Sequence, residues 1–146
     1  MNEKKCNWNL FTWHKTNPLP ACSNKYLSDT EYCLFFREKG VPIYGTFDTK
    51  LTYYLSTINY KDKKIYNHPT VKPINIVKNH IINSTQSDDI VLDCFMGSGT
   101  TAVACIETNR RFLGFEINEN YYKGAIKRIE SLQRPMTIFD FIGEEK

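Results

Sequence analysis

No run of apolar residues in this 146-residue chain approaches the roughly 20 needed to cross a bilayer as a helix. The opening Met1-Asn2-Glu3-Lys4-Lys5-Cys6 is not followed by the apolar core of a signal peptide. These absences point to a cytoplasmic address and no membrane partner. The five cysteines (Cys6, Cys22, Cys33, Cys94, Cys105) are odd in number and show no Cys-x-x-Cys pair. Neither a disulfide framework nor a zinc knuckle is supported, and no metal is expected. They read as thiols, several of them buried. Internal repeats and low-complexity stretches are missing too, which excludes fibrous and solenoid architectures.

What is present suits one globular domain and is too short for two. Hydrophobic residues make up 41% of the chain and charged residues 24%. The net charge of +3 is unevenly spread. Residues 1–87 hold 12 Lys/Arg against 6 Asp/Glu, whereas residues 88–146 hold 7 against 10. A basic first part beside an acidic second part is compatible with a face that tracks phosphates, and equally with a solvated surface.

The clearest element is Asp89-Ile90-Val91-Leu92-Asp93-Cys94-Phe95, closed by Gly97-Ser98-Gly99. An apolar run ending in glycines reads as a buried parallel strand entering a tight turn. A helix starting at Thr100 and Thr101 follows, with Asn109 placed to end it. Phe112-Leu113-Gly114-Phe115-Glu116 repeats the strand pattern. Asn118 then caps a helix whose buried face uses Tyr122, Ala125, Ile129 and Leu132. Upstream, Pro73 suits the first turn of a helix carrying Ile74, Val77, Ile81 and Ile82. This strand-helix alternation predicts an α/β fold with a parallel sheet. The first third reads as strands over 8–13 and 32–36, and residues 40–67 as strand and loop. The tail Glu144-Glu145-Lys146 reads as frayed.

Glycines after a strand let the backbone approach a ligand that any side chain would block. The next helix offers unpaired N–H groups to an anion, and an acid at the end of the second strand, Glu116, can accept hydrogen bonds from a ribose. Together these residues outline a pocket for an adenosine-bearing ligand.

The motifs resemble a known family. Asp93-Cys94-Phe95-Met96-Gly97-Ser98-Gly99-Thr100-Thr101 is similar to the cofactor motif of DNA amino-methyltransferases, the adenine-N6 and cytosine-N4 family. His68-Pro69-Thr70-Val71-Lys72-Pro73 resembles the segment before that motif, and Phe115-Glu116-Ile117-Asn118-Glu119-Asn120-Tyr121-Tyr122 the second cofactor motif. Trp13-His14-Lys15-Thr16-Asn17-Pro18 with Tyr26-Leu27-Ser28-Asp29-Thr30-Glu31-Tyr32 is similar to the strands after the catalytic motif. Cys94 stands where the family usually has Pro, a tolerable change.

The resemblance covers about residues 8–133 and implies a Rossmann-like S-adenosylmethionine-dependent methyltransferase fold. Residues 1–39 would hold the strands after the catalytic motif, 40–67 a DNA-recognition segment, and 68–133 the cofactor-binding half. Asp93, Phe95, Gly97 and Gly99 would then line S-adenosylmethionine, with Thr100 and Thr101 at its methionine carboxylate. Glu116 would hold the ribose, and Thr70 and Lys72 would close over the methionine end. Lys50, Lys61, Lys63 and Lys64 would face double-stranded DNA.

The family's catalytic tetrapeptide, Asp/Asn/Ser-Pro-Pro-aromatic, is missing. Asn17-Pro18-Leu19-Pro20 is a poor substitute, since Leu19 separates the prolines and Pro20 offers no ring to stack on a flipped base. No catalytic residue is assigned. In the family the strand bearing that motif lies between the cofactor strand and residues 8–13, so an incomplete central sheet is expected, as of an N-terminally truncated domain. A second chain supplying the strand, a rearrangement of residues 1–13, or a remnant that binds cofactor or DNA without turnover are the alternatives. Adenine is favoured over cytosine as target, and a methyltransferase of RNA or a small molecule is the remaining rival.

Overall fold

A computed structural model of the chain describes residues 6–20, 23–58, 60–66 and 68–133; Cys22 and the acidic tail lie outside them. Five strands and four helices run in the order β1 (Cys6–Lys15), β2 (Thr30–Glu38), β3 (Tyr53–Ser56), α1 (Tyr60–Ile65), α2 (Ile74–Ser84), β4 (Ile90–Asp93), α3 (Thr100–Glu107), β5 (Arg111–Gly114) and α4 (Glu119–Gln133). A short 3-10 turn at Asp48–Lys50 precedes β3.

The second half follows the expected strand-helix-strand-helix unit. β4 and β5 pair in parallel, Val91 opposite Phe112 and Leu92 opposite Leu113. α3 crosses between them and ends as its sequence dictates, with Asn109 just beyond in the left-handed conformation at φ +57°. Such a helix stop suits Asn because its side chain tolerates that conformation. Asn118 opens α4, its side-chain oxygen accepting the N–H groups of Asn120 and Tyr121. The buried face of α4 differs from expectation. Ala125 and Ile129 are buried, but Tyr122 and Leu132 are exposed and Arg128 takes an inward position. Pro73 likewise sits one place outside α2, as its N-cap.

The strands form two separate sheets, β2-β1-β3 and β4-β5, and among the described residues no strand joins them. α2 holds the two together from one side. Its His80 ring packs edge-on against Phe11 at 4.8 Å and Tyr54 at 5.7 Å in the larger sheet. Its Ile74, Val77 and Ile81 pack with Ala104, Cys105, Val91 and Phe112 around the smaller one. The opposite faces of both sheets are bare: Trp8, Leu10, Leu34 and Phe36 are exposed in one, Ile90, Leu92 and Leu113 in the other. A sheet of parallel α/β type needs cover on both sides, and among the described residues no helix covers the bare side.

Two sequence expectations change. β1 pairs antiparallel with β2 over Cys6–His14 and in parallel with β3 only over Thr12–Lys15, so β3 takes one end of the edge expected to face another strand, while residues 6–11 of that edge have no partner among the described strands. The outermost strands among the described residues are β2 and β3 in one sheet and β4 and β5 in the other. β3 pairs with that end of β1 because Tyr53-Tyr54-Leu55-Ser56 is a short β-favouring run inside the segment read as strand and loop. In that segment Tyr60–Ile65 is helical, with Asp62 in its first turn and Lys63 and Lys64 in its last, the charge order that suits a helix dipole. Cysteine burial also departs from expectation. Cys6, Cys33 and Cys94 are exposed and Cys105 alone among the described cysteines is buried, its thiol pushed up to about 11 by burial.

Burial holds the His80 imidazole below its ordinary value of 6.5. A depressed pKa favours the fold above the unfolded value, a contribution lost as pH falls through the folded one. The urea midpoint is therefore expected to drop between pH 7.5 and 5.5. His80→Phe, which keeps a ring without a titrating group, is expected to shrink that drop. It will not abolish it, because burial depresses His68 as well.

Candidate functional site

The site is built where β4 and β5 end side by side. After Asp93 the backbone turns through Gly97 at φ +52° and Gly99 at φ +74°, the latter capping α3. Asp93 stabilises the start of the turn by accepting the Phe95 N–H at 3.0 Å. Both glycines are also required by space. A Cβ on Gly97 would stand 3.0 Å from the His68 ring and one on Gly99 3.1 Å from Ala125 Cβ.

Glu116 closes the turn from the neighbouring strand. One carboxylate oxygen accepts the Gly97 N–H at 2.9 Å and the other accepts the Asn118 N–H at 2.8 Å. A carboxylate has about four lone-pair sites, so acceptor capacity for two hydroxyls remains. No side chain caps α3, and its first-turn N–H groups can receive an anion. Two apolar side chains stand in solvent beside this arrangement, Phe95 at 90% exposed after β4 and Ile117 fully exposed after β5. A carboxylate with spare acceptor capacity, an uncapped helix start and two exposed apolar side chains beyond the ends of β4 and β5 offer the kinds of contact an amphiphilic nucleoside needs.

Asp93, Phe95, Gly97, Gly99, Thr100 and Thr101 lie on one turn and helix start, and Glu116 is bonded to that turn at Gly97. Thr100 is buried, its hydroxyl 3.2 Å from that of Ser98 and bonded to Arg128, which leaves Thr101 the more accessible of the pair. The 68–73 segment divides. His68 reaches the turn, its ring over Gly97 and 4.4 Å from the ring of Tyr121, while its Nδ1 accepts the Thr70 N–H. Lys72 points instead to the larger sheet, where it pairs with Glu31 beside Lys15 and lies 6.0 Å from the Trp13 ring centre. Burial works to raise the Glu31 pKa, but hydrogen bonds and charge from Lys72 and Lys15 outweigh it and hold the carboxyl below its ordinary value. Thr70 lines a small cavity with Trp13, Lys15, Glu31 and Lys72.

The four lysines do not form one patch. Lys63 and Lys64 line an open groove of about 650 Å³ with Tyr60, His68, Asn118 and Tyr121, next to the glycine turn. Lys61 borders a different hollow, beside Pro73 and Ile74. Lys50 belongs to the turn held at the far end of α2, where Asn83 bonds Thr49. An 11-residue helix spans about 16 Å, which separates it from the α1 lysines. Among the described residues no His/Cys/Asp/Glu cluster suits a metal, and no helix is long and apolar enough to cross a membrane.

Gly99→Ala is expected to lose about 1–3 kcal/mol of stability by urea unfolding, from left-handed strain plus the Ala125 contact. Gly40→Ala, also at positive φ but with open space around it, is expected to lose less.

The DNA methylase family profile of N6/N4 type matches residues 2–128. M2.DpnII, a type II methyltransferase of Streptococcus pneumoniae, is 35% identical over 136 residues, covering 84% of this chain and 51% of that protein. DNA adenine methyltransferase YhdJ of Escherichia coli K12 is 41% identical over 73 residues, 50% of this chain and 25% of its own length. The crystal structure of the M1.HpyAVI–SAM complex superposes with a TM-score of 0.66 at 33% identity, over 82% of this chain and 60% of that one. The chain spans about half the length of the curated relatives it matches. The chain belongs to the N6/N4 DNA methylase family.

Proposed function

We propose that this chain is the cofactor-binding half of an S-adenosylmethionine-dependent DNA methyltransferase acting on an exocyclic base amine, adenine N6 in the first instance. The observation that carries the reading is the Glu116 carboxylate bonded to the Gly97 N–H at 2.9 Å beside an uncapped helix start. S-adenosylmethionine, when bound, supplies an activated methyl group. Glu116 holds the ribose, the α3 N-terminus with Thr101 receives the carboxylate, and Phe95 and Ile117 cover the adenine faces. Lys63 and Lys64, in the groove beside His68, meet the phosphates of double-stranded DNA, and the setting is cytoplasmic. The target base is chosen from the name of YhdJ, a DNA adenine methyltransferase; a cytosine-N4 target is the alternative.

Transfer also needs a polar acceptor for the amine hydrogens and a ring to stack on the flipped base, and the missing tetrapeptide leaves both to another segment. The fold supports the same division. Each sheet has open edges, and the bare apolar faces lie on one side, away from α2. A cavity lined by Phe11 and Trp13 of β1, Cys33 of β2, Tyr54 of β3 and Val77 of α2 lies between the larger sheet and the helix that also packs on the β4–β5 core. A segment with one or more strands for the open edges and amphipathic helices for the bare face fits, and the relatives are long enough to contain one. It can come in cis or from a second chain. The absent tetrapeptide equally favours a second reading, a non-catalytic cofactor- or DNA-binding chain.

Calorimetry is expected to show S-adenosylmethionine binding by the lone chain, with no transfer of labelled methyl to duplex DNA. Addition of the half carrying the Pro-Pro-aromatic motif, fused or co-expressed, is expected to start transfer. Leu34→Glu on the bare face is expected to prevent that rescue while leaving cofactor affinity unchanged. Transfer by the lone chain refutes the division of labour, and rescue untouched by Leu34→Glu refutes the docking face.

A further inference from the structure

Arg128 presents an unusual electrostatic situation. It lies on α4, only 8% exposed, and among the described residues no carboxylate pairs with it. Its Nη1 donates to the Ser98 carbonyl at 3.0 Å and to the Thr100 hydroxyl at 3.1 Å. The guanidinium stacks 4.1 Å from the ring centre of Tyr66, the residue that follows α1. All of these partners are neutral. Removing a charge from water without a counter-charge costs several kcal/mol, and a purely structural contact to a carbonyl and a hydroxyl is available to an uncharged side chain. An ion is placed where polar neutrality would do.

The surroundings indicate what balances it. Thr100 is the first residue of α3, so the guanidinium lies behind a helix start that already carries about half a positive charge. The two positive features reinforce one another on the same side of the turn. The lysine that the motif pattern assigned to the ligand's charged end, Lys72, is committed to Glu31 and does not supply this charge. The carboxylate of Glu116 meets the turn at Gly97, where it is bonded to two backbone N–H groups.

We propose that Arg128 is a positioning residue for the cofactor: it fixes the turn at residues 98–100 and supplies the buried positive charge that favours a carboxylate at the α3 N-terminus. This inference rests on the cofactor reading above and specifies which end of the ligand the charge selects. Arg128 acts through Ser98, Thr100 and the field of the helix start, without touching the ligand.

The discriminating experiment is calorimetric titration of the whole chain with S-adenosylhomocysteine, which carries the carboxylate, and with 5′-methylthioadenosine, which lacks the amino-acid end. Arg128→Met is expected to weaken S-adenosylhomocysteine about tenfold or more and methylthioadenosine less than about threefold, since tenfold corresponds to a dipole-scale contribution. Arg128→Lys retains the charge without the planar stack, and is expected to keep the preference for S-adenosylhomocysteine. A parallel loss of both ligands in Arg128→Met, or no loss of either, overturns the proposal. If Arg128→Met does not fold, as judged by circular dichroism, Arg128→Lys decides: loss of the preference overturns the proposal and retention supports it. Wild-type protein that binds neither ligand overturns the cofactor reading, and this inference with it.

Discussion

One short hydrogen bond organises the site: a carboxylate at the end of β5 accepts an N–H from the turn that leaves β4. For Glu116 to reach Gly97, the two strands must be adjacent and parallel, in the register that sets Asp93 beside Gly114. The α3 crossover must then bring the chain back over one face, which buries Ala104 and Cys105 against α2. Gly97 and Gly99 must be glycines, since each has positive φ and a neighbour within 3.1 Å of where a Cβ would stand. His68, Asn118 and Arg128 converge on the same few residues from three other directions. A single turn thus ties strand order and helix contact together.

The rest of the molecule is covered on one side only among the described residues. α2 covers one side of both sheets, yet Trp8, Leu34, Ile90 and Leu92 on the other side remain exposed. Exposed apolar area on this scale marks an interaction surface more often than a free one. Unpaired strand edges beside it are templates for further strands. The cofactor-facing turn depends on neither feature, because its contacts come from β4, β5, α3, α4 and the 68–73 segment. The proposed division of ligand binding from catalysis follows this separation between the glycine turn and the exposed faces of the sheets.

Much of that arrangement was legible in the sequence because strand, glycine turn, helix and acid follow one another between Ile90 and Glu116, and local spacing dictates their contact. The Asn109 stop and the Asn118 cap were legible for the same reason. What escaped depends on contacts distant in sequence. Nothing local in Val71-Lys72-Pro73 reveals that Lys72 turns to Glu31, 41 residues earlier. Arg128 reads as a surface residue until Ser98, 30 positions away, is placed against it. Its only local signal is its position, three residues after Ala125 on a face otherwise apolar. Within the segment read as strand and loop, the bounds of β3 and the helix α1 were not legible, because its tyrosines and lysines show no clear period and pairing with β1 decides the strand. The strand order around β1 likewise followed family analogy, and the pairing of β3 with Thr12–Lys15 at one end of the second edge of β1 had no local signal.

The most direct measurement of the central claim is a crystal structure of the chain with S-adenosylhomocysteine. The account expects both ribose hydroxyls within hydrogen-bonding distance of the Glu116 carboxylate, the ligand carboxylate at the start of α3, and the Gly97 to Glu116 bond retained. A ligand bound elsewhere, or Glu116 turned away from the sugar, would contradict it.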